Sequence, residues 1–178
     1  MANTTFSGPV RSKNGFINTG PGAVKALTLA TDLTVADHAG RLITMDPAGT
    51  PPAITIPSII STADAAVAGA SDPNNASTIG TTFEILFIDN FTGTIKTANT
   101  ADKFVGAVTL GITASTAGKQ FQVATNNNEV NLNGEAGTAT TGGLKGSIIK
   151  FTAIAANLYA VEGQLLAAGV LATPFDNQ

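Results

Sequence analysis

The sequence predicts a mainly β protein: a single β-sandwich or β-barrel domain, jelly-roll-like, with one short helix and an extended N-terminal arm. Short stretches rich in Val, Ile, Thr and Phe recur about every ten residues, with turn-forming Gly, Pro and Asn between them. The chain has 178 residues, enough for one domain with a sizeable core. Charged residues make up only 12%, about half the usual share. We therefore expect a surface rich in Thr, Ser and Asn.

Residues 1–22 are predicted to form the arm. Two prolines fix φ and remove amide donors, and four glycines interrupt any periodic pattern. Phe6, Val10 and Phe16 give this segment isolated apolar side chains, which a purely disordered tail would lack. These side chains pack either on their own domain or on a neighbouring protein.

The body, residues 23–163, begins with three predicted strands and a helix. Apolar residues alternate in 24–30, and the strands 42–45 and 53–56 are separated by a Pro-Ala-Gly-Thr-Pro-Pro turn. Pro57 ends the third strand. The Ala-rich stretch 59–70, which Ser61 can cap, predicts the helix, and a loop follows it.

The second half of the body is predicted to consist of strands and turns. The strongest strand is 82–89, and its continuous apolar character predicts burial on both faces. Asn90-Phe91-Thr92-Gly93 predicts a hairpin turn into the next strand. The glycine-rich stretch 134–143 predicts a flexible loop or lid. The remaining predicted strands are 94–97, 103–112, 119–125, 129–132, and a last hairpin of 147–154 with 157–161.

Residues 164–178 form a tail rich in Leu, Ala and Gly, which we interpret as a possible subunit-contact segment. Internal repeats of 20–50 residues are not visible.

The composition disfavours catalysis and metal binding. The chain has no cysteine and one histidine, which excludes disulfides, thiolate sites and His clusters and disfavours a serine triad. The Asp37–His38 pair is better explained by capping from Asp37 and an exposed imidazole than by a general base. Glu84 and Asp89 differ by an odd number, which places them on opposite faces of a strand. We predict no catalytic residues, no cofactor and no metal: the protein is not an enzyme.

The glycine-rich and charged segments do not fit a phosphate, nucleic-acid or membrane ligand, which leaves a protein as the expected partner. The stretch 142–147 lacks the Gly-Lys-Ser/Thr order of a phosphate-binding loop. Arg11, Lys13 and Lys25 lie in the first thirty residues, which contain no acid. Three cations are too few for a nucleic-acid stripe. Because the start lacks a signal-peptide pattern and no run reaches about 20 apolar residues, we expect a product made in a cytoplasm, with no nucleic acid and no membrane as partner.

Two segments carry a family resemblance. Residues 4–12, Thr-Thr-Phe-Ser-Gly-Pro-Val-Arg-Ser, followed by Asn14-Gly15-Phe16, are similar to the N-terminus of head decoration proteins (cement or capsid-stabilising proteins) of marine tailed bacteriophages. Residues 33–57 resemble a recurring module of these proteins: a polar turn, Ala-Gly-Arg, and two strands that end at Asp46 and Pro57. The closing stretch 157–163 fits the same layout, with Tyr159 where tryptophan is expected.

The resemblance implies a non-enzymatic virion protein on the outer surface of the head, made in the host cytoplasm. Such proteins assemble as homotrimers and bridge neighbouring units of the major capsid protein. The capsid-interface candidates are Phe6, Val10, Arg11, Lys13 and Phe16. The alternative is a tail-fibre or receptor-binding module that recognises host surface glycans, although the absence of Trp and the single Tyr disfavour sugar stacking.

Overall fold

The computed structural model describes residues 23–47, 53–60, 78–115 and 117–178. The predicted arm and most of the predicted helix at 59–70 lie outside these ranges. The fold is therefore described for the body and for the C-terminal segment.

Two sheets face each other, and the prediction of a mainly β sandwich is confirmed. The single described helix is one turn, α1 (Val35–His38), where the sequence predicts a polar turn. The seven-stranded large sheet has the spatial order β1 (Val24–Leu27), β3 (Leu42–Met45), β5 (Thr82–Phe87), β10 (Ile148–Ala155), β11 (Leu158–Ala167), β7 (Lys103–Ile112) and β8 (Gly118–Gln122). The five-stranded small sheet has the order β12 (Phe175–Asp176), β9 (Glu129–Leu132), β6 (Gly93–Thr97), β4 (Ala53–Ile56) and β2 (Thr31–Asp32). In the described part of the chain, β1 and β8 do not pair with each other, so the large sheet does not close into a barrel.

The first six strands wind as three coils of a β-solenoid. β1, β3 and β5 are parallel neighbours in the large sheet, while β2, β4 and β6 are parallel neighbours in the small sheet. Val24, Leu42 and Glu84 are aligned in register, so successive coils advance by 18 and then 42 residues. Because the two spacings differ, the structural repeat produces no regular period in the sequence. The parallel pairs also distinguish the fold from the antiparallel sheets of a jelly roll.

The predicted hairpin at residues 90–93 is wrong, because β5 and β6 belong to different sheets. Phe91 has no exposed surface, and its ring lies 4.7 Å from the ring of Phe87. The turn therefore contains a core side chain. Burial of the Phe91 ring favours a path that crosses from the large sheet to the small sheet over a path that returns along the large sheet.

The later strands complete both sheets. The predicted hairpin of β10 and β11 is confirmed, and Asn157 occupies a left-handed conformation at its turn. β11 continues to Ala167, four residues beyond the predicted end of the body. The chain then returns to the small sheet, where β12 pairs with β9 and Phe175 is buried.

A single apolar cluster fills the space between the sheets, because alternate residues of the strands point inward. Burial of β5 on both faces was predicted, but only one face is fully buried. Phe83, Ile85 and Phe87 have no exposed surface, while Glu84 and Leu86 are partly exposed on the outer face.

The glycine-rich stretch 134–143 was predicted to be a flexible loop or lid, but it packs against the body. The N–H of Phe91 donates to the Gly143 carbonyl at 2.7 Å, and the N–H of Gly134 donates to the Thr92 hydroxyl. Ala139 has no exposed surface, and its carbonyl accepts two backbone N–H groups from the strand-to-tail connection. Small residues allow two backbones to approach closely, and they also allow a loop to be flexible. The composition of the stretch alone does not distinguish close packing from flexibility.

Candidate functional site

The five predicted capsid-interface residues all precede the described part of the chain. Phe6, Val10, Arg11, Lys13 and Phe16 lie within residues 1–22, outside the described ranges.

The outer face of the large sheet is broad and weakly charged. Register aligns outward-facing residues across all seven strands in two rows. One row contains Val24, Leu42, Glu84, Lys150, Glu162, Ala107 and Gln122. The other contains Ala26, Thr44, Leu86, Ile148, Gln164, Thr109 and Gln120. These rows present mainly apolar, hydroxyl and amide groups, which suits contact with another protein surface.

The three charges in these rows are adjacent. The Lys150 ammonium donates to Glu162 Oε1 at 2.8 Å, and this hydrogen bond raises the pKa of Lys150. Glu84 lies on the neighbouring strand and adds to the same shift. An open, shallow trough of about 520 Å³ runs beside this group, over the small side chains of Ala107 and Thr109.

The small sheet carries a second, more polar groove of about 550 Å³. Its lining includes a carboxylate from Asp32, an ammonium from Lys96 and hydroxyls from Thr55 and Ser58. Gln178 closes one side, and its side-chain amide donates to two backbone carbonyls, which fixes its position. The described lining contains no aromatic ring, so the groove can hydrogen-bond a polar ligand but cannot stack a sugar.

Four chain segments meet at one end of the sandwich, which we call the corner end. Three of them leave strands of the small sheet and lead toward the large sheet: residues 34–41, 57–60 and 98–102. The fourth, residues 156–157, is the turn between β10 and β11 of the large sheet. Asp102 has no exposed surface there, and its Oδ2 accepts the N–H of Ile59 at 3.2 Å. Its Oδ1 has no partner among the described residues. Burial of this carboxyl raises the pKa of Asp102.

Tyr159 also holds segment 57–60, to which Asp102 is hydrogen-bonded. Its ring is fully buried, and its hydroxyl donates to the Pro57 carbonyl at 2.7 Å. Burial raises the pKa of Tyr159, and the Asp102 carboxylate adds to the shift. Three residues after Pro57, the N–H of Ile60 donates to the Thr78 hydroxyl at 2.8 Å, and the N–H of Thr78 donates to the Ile60 carbonyl at 3.0 Å. This Ile60–Thr78 neck holds together the two residues that flank 61–77.

The predictions that Asp37 caps the turn and that the imidazole is exposed are both wrong. His38 is only 5% exposed, and its Nδ1 accepts the N–H of Thr34 at 3.0 Å. The N-cap of α1 is Thr34, whose hydroxyl accepts the N–H of Asp37 at 3.2 Å. The reason is the apolar side of the turn, where Val35 and Ala39 pack on the core and carry the imidazole inward. Burial lowers the pKa of His38.

The other acidic candidates do not form a pair. Glu84 lies on the outer face of β5, while Asp89 lies in the turn after it and accepts the N–H of Asn90. Within the described residues, no three His, Asp or Glu side chains lie close enough to hold a metal ion. No helix in that part of the chain has the length and apolar character needed to cross a bilayer.

Comparisons of the chain with protein-family models, with curated proteins and with solved structures give no match.

Sequence reasoning missed the buried polar groups of the corner end. Thr34 and Asp37 fit the pattern of a helix-capping box, and this signal predicts the α1 turn. Asp102 and Tyr159 are isolated in the sequence and give no comparable signal.

Proposed function

We propose that this protein is a non-enzymatic structural component of a tailed-phage particle, which binds the outer surface of the capsid and stabilises it by bridging capsomers. The outer face of the large sheet is the observation that carries the proposal. It spans seven strands and carries three charges in its two central rows. A broad, weakly charged face favours protein contact, here between copies of a bridging assembly, and the resemblance of residues 4–12 and 33–57 to head decoration proteins supports the capsid as the partner of that assembly.

In this proposal the arm and the large sheet divide the work. Phe6, Phe16 and the arm cations Arg11 and Lys13 bind the major capsid protein, while the outer face of the large sheet contacts neighbouring copies in a homotrimer. A well-buried aromatic side chain contributes roughly 2–3 kcal/mol. Three arms joined in one trimer raise the effective concentration of each, so the assembly binds far more tightly than one arm.

Binding to the capsid is tested with expanded, purified heads. We expect the full chain to sediment with the heads, and a variant lacking residues 1–22 to remain in the supernatant with an unchanged melting temperature. Gold-labelled antibody on intact particles provides the second readout, and we expect gold over the head. Full binding by the truncated variant would contradict the role of the arm, and gold confined to the tail tip would contradict the function.

The role of the large sheet is tested separately with a matched pair of substitutions. Thr109 lies in the trough of the large sheet, and Thr94 lies on the outer face of the small sheet. We expect Thr109→Arg to dissociate the trimer in light-scattering measurements and Thr94→Arg to leave it intact. A trimer that tolerates both changes would remove the large sheet from the subunit contact.

The polar groove of the small sheet favours a second candidate function, the binding of host surface glycans by a tail-fibre module. Asp32, Lys96 and Gln178 offer both donors and acceptors for sugar hydroxyls. Binding to host cells or to a glycan array that is lost in Lys96→Ala would support this candidate. Absence of binding in the unmodified protein would eliminate it.

A further inference from the structure

We propose that residues 34–41, which we call the α1 corner, form an acid-sensitive latch. Protonation of His38 breaks the hydrogen bond that closes the corner, and the corner opens while the two sheets stay folded. This inference is independent of the capsid proposal, since it concerns the body alone.

The hydrogen bond to Thr34 fixes the protonation state of the ring. An imidazole nitrogen accepts a hydrogen bond only when it carries no proton, so acceptance at Nδ1 places the proton of the neutral ring on Nε2. Protonation would put a second N–H at Nδ1, directly facing the N–H of Thr34. Two donors would then oppose each other at 3.0 Å, and the bond would be lost.

In the described part of the chain, the surroundings give a protonated ring only one distant acceptor, the Thr34 hydroxyl near Nδ1, and none at Nε2. Nε2 is buried without a hydrogen-bond partner there. The Thr34 hydroxyl lies 3.4 Å from Nδ1, but it already accepts the N–H of Asp37 and contacts the Asp37 carboxylate at 3.3 Å. A protonated ring in the closed corner would therefore be a buried cation with a weakly paired donor at Nδ1 and an unpaired donor at Nε2, which is unfavourable.

Charged groups on three neighbouring segments act on the ring. Lys25 of β1 and Arg41, immediately before β3, disfavour a positive charge on the imidazole, while Asp37 of α1 favours it. Burial is the largest influence on the pKa of His38, and it outweighs the Thr34 backbone and Asp37, which both raise that pKa, so the balance favours the neutral ring in the closed state. In the open corner the ring is solvated and takes up a proton readily. Acid therefore shifts the equilibrium toward the open state.

The corner has little stability of its own to resist this shift. α1 is a single turn, and a helix of one turn is not stable in isolation. Its remaining attachments are the packing of Val35 and Ala39 on the core and backbone bonds, including the N–H of Gly40 to the Thr82 carbonyl at 2.9 Å. The sheets do not depend on the imidazole for their pairing, so opening is confined to residues 34–41.

Amide hydrogen exchange of the full chain tests the latch. Exchange is measured between pH 7.5 and 5.0 and corrected for the intrinsic pH dependence of amide exchange. Because the lowered pKa of His38 places protonation of the closed ring below its ordinary value of 6.5, we expect protection of residues 34–41 to fall in the mildly acidic range. The fall approaches roughly tenfold per pH unit, since opening takes up one proton. Protection of β10 should not change with it.

Two substitutions at His38 form a matched pair. The side-chain oxygen of His38→Asn lies near the position of Nδ1, accepts the Thr34 N–H and does not titrate, so we expect a corner that stays closed at both pH values. His38→Gln places its oxygen further out and leaves the Thr34 N–H unpaired, so we expect a corner that is open at both. Equal pH dependence in His38→Asn and the unmodified protein would overturn the proposal.

Nuclear magnetic resonance of the unmodified protein keeps the test decisive if either variant fails to fold. The ring nitrogens of His38 and the amide of Thr34 should titrate together, with a common apparent pKa below 6.5. Titration of the ring without loss of protection at Thr34 would overturn the latch.

Discussion

Replacing Gly143 with alanine tests whether the glycine-rich stretch 134–143 is a packed part of the body. Gly143 has φ +97°, and an added Cβ would lie 2.3 Å from the Phe91 carbonyl oxygen and 3.2 Å from the Leu132 Cβ. The carbonyl of Gly143 accepts the N–H of Phe91 at 2.7 Å. The methyl group therefore cannot fit unless the backbones of the two segments separate.

The expected loss has two parts. Holding a residue with a Cβ at positive φ costs about 1–2 kcal/mol. Separating the segments leaves the buried N–H of Phe91 without its acceptor, which costs about 1–3 kcal/mol. We expect Gly143→Ala to lower the free energy of unfolding by about 2–5 kcal/mol, a large share of the 5–15 kcal/mol typical of a domain.

Gly137 provides the matched control. Its φ is +84°, and an added Cβ would meet nothing within 4 Å. Gly137→Ala should therefore lose only the conformational part, about 1–2 kcal/mol. Urea unfolding followed by far-ultraviolet circular dichroism measures both variants against the unmodified protein. Equal losses at the two positions would refute the close packing of Gly143 and restore the prediction of a flexible loop.

Three further changes test the corner end and the large sheet. Tyr159→Phe removes the donor to the Pro57 carbonyl and should cost about 1–2 kcal/mol in urea unfolding; an unchanged midpoint would contradict the bond. Asp102 has a raised pKa in the folded state, so the folded protein holds its proton to higher pH than the unfolded chain, and the carboxyl's contribution to stability falls as pH rises above about 4. Asp102→Asn removes this dependence, so its stability relative to the unmodified protein should improve as pH increases from 4 to 7, and a difference that is constant with pH would be inconsistent with the burial. Lys150→Ala should leave the unfolding midpoint unchanged within error, because the ion pair with Glu162 is solvent-exposed; a clear loss would show that the pair is structural.

Local pattern was sufficient to predict most strands. Residues 42–45 and 53–56 were predicted with their observed bounds. Alternation of apolar residues indicates both strands, and Pro57 marks the end of the second. The β10–β11 hairpin was also predicted, and the structure places Asn157, predicted as the first residue of its second strand, in the left-handed conformation of the turn.

The assignment of strands to sheets was not predictable from pattern. A polar turn with Asn and Gly reads as a hairpin, and only the buried ring of Phe91 shows that the chain crosses the core there. The parallel pairing of β1, β3 and β5 joins residues that are 18 and 42 positions apart. Contacts at such unequal separations leave no period in the sequence.

The candidate site was less predictable than the fold. The five arm residues remain a prediction, since they lie outside the described ranges. The burial of His38 was missed because Asp37 and His38 are both polar, and a short polar turn is normally exposed. Its inward position depends on how the neighbouring apolar residues Val35 and Ala39 pack on the core, which is a tertiary effect.

The Ile60–Thr78 neck makes the connection between β4 and β5 a natural graft point. Because Ile60 and Thr78, which flank residues 61–77, are hydrogen-bonded to each other, an inserted peptide would start and finish at the same place on the body. Doubling the length of a closed loop costs only about 0.6 kcal/mol in entropy. A foreign epitope or a small folded domain could replace residues 61–77 without changing the register of either sheet, so the protein offers a scaffold for display.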